Sequence, residues 1–555
     1  MKDLVFFKFK EKYMNYLPKS LAVGFVLATF AASSVLAAGT HPVTGEALAD
    51  DQTFTYSLLD EFTTADPQMV EDVSGSYFVR DLFEGLMNQD ADGNLIPGVA
   101  TGYTTNEAKD VYTFTLRNNA RWSDGNPVTA HDFVYAWRRL ADPATASPYS
   151  WFADIMALEN VGAVMSGESP PEALGIRALD NHTLEVRLTA SLPYFAAMTT
   201  HASTFPSPQW TVRTFGDGWT KPGNIVGNGA YVLTEHIPNE TATRERNTMY
   251  WNNDATIIDK VVTLVINDEN TDFTRWEAGE TDKGAVPSGQ YPRLKAEYPD
   301  EAISFPRLCT YYMTFNLSPS GPEAFKDVRV RQALSYALDR SVVTDKVLQG
   351  GQIQAFTFTP GATAGFEVPA VAFGQMSQDQ RNVNAKLLMA AAGYGPDNPL
   401  KFEYLYNTSE GHKKIAIAAQ QMWKETLGVN ATLANQEWKT FLKTRGGQGF
   451  ELARGAWCGD YNEASTFLDL LSTPSGYNDG KFSNAEVDQL MLDARTMSDA
   501  SANYTRVEEI LANEMPVIPI YHYAGVFMLK TNVKGWPYDN VEQNVYSRNL
   551  YKVAK

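Results

Sequence analysis

At 555 residues the chain exceeds what one hydrophobic core usually serves, so two or three domains are expected. Hydrophobic residues make up 44% and charged residues 20%, and the 39 Gly and 28 Pro form no low-complexity tract, so the bulk of the chain is folded. A net charge of -19 with no Lys/Arg patch after Lys19 argues against nucleic-acid binding, which needs clustered cations to neutralise phosphates.

The N-terminus differs from everything after it. Lys8, Lys10, Lys12 and Lys19 precede an apolar run from Leu21 to Ala37 that closes on the small residues Ala37 and Ala38. This is the pattern of a cleavable signal peptide over residues 1–38, and the run is short for a membrane anchor. Met14 would give a more ordinary leader length than Met1, and no Cys near residue 39 is placed to accept lipid. An exported, free and soluble mature protein is expected.

Further on, Val111 to Arg117 alternates as a strand, the turn signal Ser123 to Pro127 follows, and Thr129 with Asp132 opens a helix carrying Phe133, Val134, Ala136, Trp137 and Leu140. The α/β rhythm recurs. His182 to Leu188 and Val261 to Ile266 read as strands, and Asp327 opens a helix with Val330, Ala333, Leu334, Ala337 and Leu338 on one face. Two later helices, Asn384 to Ala392 and Lys413 to Leu427, each stop at a glycine, Gly393 and Gly428. The two cysteines, Cys309 and Cys458, are expected to pair, because an exported chain meets an oxidising compartment. Two buried free thiols, or a catalytic cysteine, are the alternatives.

Several strings then resemble one family. RDLFEGL (Arg80 to Leu86), RWSDGNPVTAHDF (Arg121 to Phe133), NGAY (Asn228 to Tyr231) and DVRVRQALSYALDR (Asp327 to Arg340) are its general marks. Sharper ones are LADPATASPY (Leu140 to Tyr149), LCTYY (Leu308 to Tyr312), LYNTSEGHKKIAIA (Leu405 to Ala418), NQEWKTFLKTR (Asn435 to Arg445) and ARGAWCGDYNEASTFL (Ala453 to Leu468). Together they resemble the family 5 solute-binding proteins of peptide importers, and within it the oligopeptide-binding members of Gram-negative bacteria.

The resemblance implies an α/β fold of the type II periplasmic binding protein class, two lobes closing over ligand with an extra domain inserted in the first. Lobe 1 would take residues 39–87, 209–308 and 526–555, the inserted domain 88–208 and lobe 2 residues 309–525. It implies a periplasmic monomer that binds short peptides, engages an inner-membrane ABC permease transiently and needs no cofactor or metal.

Carried over residue by residue, the family's pattern assigns Asp460 to the peptide α-ammonium, and backbone groups around Gly455 and Cys458 to the extended peptide. Arg454, Arg445, His412 and Lys346 become graded partners for the carboxylates of peptides of different length. One fixed counter-charge cannot serve every length, since each residue moves the carboxylate by about 3.3–3.6 Å. Trp438, Trp457, Tyr149 and Tyr523, the last with Tyr521 as a neighbouring alternative, are implied cavity aromatics.

Two departures bear on length preference: Gly75, in a strand before RDLFEGL, stands where an acidic residue assists the amine, and Gly446 where a histidine is usual. A narrower receptor for dipeptides or a murein tripeptide is the main alternative. A nickel receptor fits poorly, because the seven scattered histidines form no close ligand pair. A peptidase is the other-class alternative, and the chain has no HExxH, GxSxG or P-loop motif.

Overall fold

The computed structural model describes residues 39–555, so the signal peptide read at residues 1–38 lies outside the described residues. Alternation builds β1 (Thr53–Leu58), whose Phe54, Tyr56 and Leu58 are buried. Helix α1 (Val73–Leu82) follows, its N-terminus capped by Asp72, which accepts from the Gly75 N–H at 3.2 Å. The strand expected around Gly75 is therefore corrected to a helix: the cap satisfies a first-turn donor, and Phe78, Val79 and Leu82 are buried.

Next come β2 (Ala100–Thr105), β3 (Val111–Leu116), α2 (Ala130–Ala141), β4 (Ile176–Asp180) and β5 (Thr183–Arg187). The four strands form an antiparallel sheet in the order β2-β3-β5-β4. Helix α2 begins as the sequence predicts, with the Thr129 N–H donating to the Asp132 carboxylate at 2.7 Å. Its Phe133, Ala136, Trp137 and Leu140 are buried.

Strand β1 belongs to a larger sheet, whose next strands are β6 (Tyr231–Ile237), β7 (Thr241–Arg246), β8 (Lys260–Val265), β9 (Lys283–Ala285) and β10 (Ala302–Phe315). After the helices α3 (Val328–Tyr336) and α4 (Gln378–Ala391) come β11 (Lys401–Asn407), α5 (Glu410–Leu427), β12 (Asn430–Gln436), α6 (Trp438–Gly446), β13 (Leu452–Cys458) and β14 (Val517–Leu529). The strand order is β12-β11-β13-β10-β14-β9-β1-β8-β7-β6, with the short strand Ile353–Gln354 also paired to β14.

Strands β10 and β14, of 14 and 13 residues, run antiparallel through the middle of this sheet. The domain boundaries expected after residues 308 and 525 fall inside them. Parallel pairing joins β11 to β12 on one side and β1 to β8 on the other.

Helix ends follow local chemistry. Helix α4 starts six residues before Asn384, at Gln378, because Ser377 and Gln380 exchange hydrogen bonds of 2.8 and 3.2 Å in a capping box. Helix α5 starts at Glu410, where the Ser409 hydroxyl accepts from the His412 N–H, and ends on Gly428 at φ 68°.

Cys309 and Cys458 lie directly opposite in the β10–β13 pair and form a disulfide that spans 149 residues. In the chain-entropy view such a closure is worth about 4–5 kcal/mol. Among the described residues no helix is long and apolar enough to cross a membrane.

Candidate functional site

Strand β13 organises the site. Its one edge pairs with β10 along all seven residues, but its other edge meets β11 only at Leu452 and Ala453. From Arg454 to Cys458 that second edge has no strand partner and faces a cavity of about 390 Å³. An extended chain can add there as a strand. Gly455 is required by packing: a Cβ at this position would sit 2.3 Å from the ring of Tyr312, its partner on β10.

Nine of the eleven residues expected at the site line this cavity: Tyr149, His412, Trp438, Arg445, Arg454, Trp457, Cys458, Asp460 and Tyr523. Gly455 does not line it and contributes through backbone and packing. Lys346 lies on an exposed π-helical turn and lines neither this cavity nor its neighbour.

Asp460 is 8% exposed, just beyond the end of β13. The Tyr149 hydroxyl donates to its Oδ1 at 3.2 Å, and His201 Nε2 stands 3.4 Å from the same oxygen. Burial pushes the Asp460 carboxyl up to about 8, against the Tyr149 hydrogen bond and the charge of Arg80. Burial and Arg80 hold His201 well below the usual imidazole range, so it is neutral and cannot serve as counter-ion. Of the groups facing Asp460, Arg80 is the charge that favours its ionised form.

Arg454 is its opposite. It is 6% exposed, donates from Nη2 to the Tyr523 hydroxyl at 2.9 Å and lies 5.0 Å from the Tyr311 ring centre. Its Nε has no partner, and among the described residues no carboxylate lies within ion-pair distance of it. Beside it His412 is held well below the imidazole range by burial and by the Arg454 charge, and its Nδ1 is unpartnered. His412, expected as one of the graded cations, is therefore a neutral hydrogen-bonding group at neutral pH. Arg445 is committed to Asp479 in a buried ion pair of 2.6 Å, which leaves Arg454 as the free guanidinium of the two.

Aromatic rings wall the amine end. Tyr149 stacks on His201 at 5.0 Å and lies parallel to Trp457 at 6.4 Å, with Tyr477 edge-on to both.

The sequence reading found neither His201 nor Tyr477, and it treated Gly75 as the loss of an acidic residue. The acids stand just before α1 instead. Glu71 and Asp72 both line the cavity, with Asp60 beside them. Glu71 accepts from the Tyr477 hydroxyl at 3.2 Å, and Asp72 from the Trp438 indole N–H at 3.3 Å. Burial raises all three carboxyls, Asp60 to about 6. Gly446 has open space around its Cα and lies outside the cavity lining. A second cavity, of about 430 Å³, adjoins the first and shares Leu59, Tyr77, Arg307, His412 and Tyr523 as its walls.

Known proteins share this architecture. The profile of the bacterial extracellular solute-binding proteins, family 5, matches residues 94–479. The periplasmic murein peptide-binding protein of Escherichia coli is 44% identical over 513 residues, covering 92% of this chain and 95% of that protein. The periplasmic oligopeptide-binding protein of Salmonella typhimurium is 42% identical over 542 residues, 97% of this chain and 99% of the relative.

Among solved structures, the Haemophilus influenzae oligopeptide-binding protein in complex with the peptide RPPGFSPFR matches with a TM-score of 0.87 at 39% identity, covering 91% of this chain and all of that one. One structure of the E. coli murein tripeptide binding protein matches at 0.89 with 43% identity, covering 92% of this chain and 100% of that one. Its unliganded open form, at the same identity and with 92% and 98% covered, matches only at 0.66. The Tyr149–Asp460, Trp438–Asp72 and Tyr477–Glu71 hydrogen bonds join residues of the cavity lining that are far apart in sequence or on different elements.

Proposed function

The chain belongs to the bacterial extracellular solute-binding proteins of family 5, and from that premise we propose that it captures short peptides with a free amino terminus in the periplasm and delivers them to an inner-membrane ABC importer. It acts as a monomer and as a binder, not a catalyst.

One observation carries this reading. Arg454 is a buried cation and Asp460 a buried acid held largely protonated at neutral pH, neither has a charged ion-pair partner among the described residues, and both are set on one cavity beside the unpaired edge of β13. A buried unpaired charge is costly, and a ligand that brings a carboxylate to Arg454 and an ammonium to Asp460, which ionises to meet it, pairs both groups. A peptide backbone between those ends pairs with the strand edge without regard to side chains. The aromatic walls of Tyr149, Trp457 and Tyr477 supply apolar surface that accepts side chains of different shape, which suits mixed sequences.

The narrower reading, a receptor for a murein tripeptide, has its own support in Asp60, Glu71 and Asp72. Three carboxylates on the same cavity would answer a second ammonium, such as a diamino acid carries. Native mass spectrometry of protein purified from its own cells separates the two. The general reading predicts several co-bound masses of about two to five residues; one homogeneous mass supports the narrow receptor, and steady cleavage of added peptides would overturn both.

A further inference from the structure

The second cavity lies where a chain leaving the first cleft past His412 and Arg307 would enter it, since both residues form walls of the two. Phe54, Leu58, Phe305, Phe527 and Trp536 line it, together with Leu348 and, from α5, Ile415. Its charged lining consists of Lys283, on β9, and Arg307 as cations and Asp81, Glu269 and Asp272 as carboxylates. The Lys283 Nζ lies 5.2 Å from the Phe527 ring centre and 5.9 Å from that of Trp536. Among the described residues its ammonium has no ion pair within 4.0 Å and no hydrogen bond, while its backbone is paired in the sheet.

Asp272, a carboxylate that also lines the chamber and acts on Lys283, accepts through Oδ2 from the Ser57 hydroxyl at 2.5 Å and from the Ala285 N–H at 2.8 Å, while its Oδ1 is buried without a partner. Burial lowers Lys283 to about 8, so the ammonium persists at neutral pH in a place where it is poorly solvated.

We propose that this chamber receives an apolar group ending in a carboxylate, with Lys283 as its counter-ion, and that the group is the C-terminal residue of peptides too long to end at Arg454. The proposal rests on the peptide-binding reading and extends it to a substrate class: longer peptides with a large apolar residue at the C-terminus. It also adds Lys283, which lines the second cavity, to the graded carboxylate partners that the resemblance implies. Arg307 stands at the junction of the two cavities, donating to the Tyr77 hydroxyl at 2.9 Å with its Nε unpartnered, and serves a carboxylate of intermediate reach.

The test is calorimetry on the mature chain and its K283M variant with Ala-Ala-Ala, Ala-Ala-Ala-Ala-Phe, the C-terminal amide of the latter, and dodecanoate. K283M is expected to bind Ala-Ala-Ala like the parent, which also reports an intact fold, and to bind the Phe-ended peptide about tenfold more weakly. Amidation should weaken the parent and leave K283M unchanged. Equal behaviour of the parent and K283M toward the Phe-ended peptide and its amide overturns the chamber assignment while the peptide reading stands. If the parent binds no peptide, the peptide reading fails. Dodecanoate binding that K283M loses then supports the chamber for a free amphipathic carboxylate, and no dodecanoate binding overturns the chamber as well.

Discussion

The Tyr149 hydroxyl reaches Asp460 across the cleft, 3.2 Å from Oδ1 and 3.3 Å from Oδ2, tying the segment after α2 to the end of β13. The bond favours the ionised carboxylate and opposes the effect of burial. Y149F removes it without changing the ring, so the Asp460 carboxyl rises further and peptides with free amines bind several-fold more weakly at pH 7. The pH dependence of their affinity should move to higher pH, and an unmoved profile would show that the phenol is mere wall.

Peptide capture should release a proton. Free Asp460 titrates near 8, so at pH 6 to 7 it is largely protonated, whereas the peptide amine, with an ordinary value of about 7.7–8.0, is charged. An ammonium seated on Asp460 requires the carboxylate, which must lose its proton on binding. Calorimetry in buffers of different ionisation enthalpy should find close to one proton released at pH 6.5, with affinity rising toward pH 8. N-acetylated peptides should show neither effect.

The same residue should weaken the empty protein. A carboxyl raised in the folded state relative to about 3.9 when unfolded costs stability that begins as pH rises through the lower value and is fully present above about 8. D460N removes this cost. Its ligand-free melting temperature should exceed the parent's at pH 8 and match it below pH 4, the reverse of what loss of a structural ion pair would give.

Much of this was legible in the sequence where local rules dominate. The capping residues Thr129 and Asp132, the glycine stop at Gly428 and the alternation of Val111 to Leu116 depend on neighbours along the chain, and they appear where expected. The string Arg454 to Asp460 carries both anchors because one strand and its end bear them.

What was not legible depends on distant contacts. Nothing near Arg445 reveals that Asp479 occupies it, and nothing near His412 reveals that burial beside Arg454 keeps it neutral. His201 and Tyr477 reach Asp460 and the amine pocket from 259 and 17 positions before and after it. The segment before Arg80 misled because Ser74, Gly75 and Ser76 are weak helix formers. Only the Asp72 cap and the burial of Phe78 and Val79 make it a helix.

The central claim is that Asp460 and Arg454 hold the two charged ends of one peptide. The direct measurement is a calorimetric matrix of the parent, D460N and R454M against Ala-Ala-Ala, its N-acetyl form and its C-terminal amide. D460N should erase the parent's preference for the free amine and keep its preference for the free carboxylate, and R454M should do the converse. Each matched loss should be about tenfold or more. If both variants weaken all three ligands alike, the anchors are not where they are placed here.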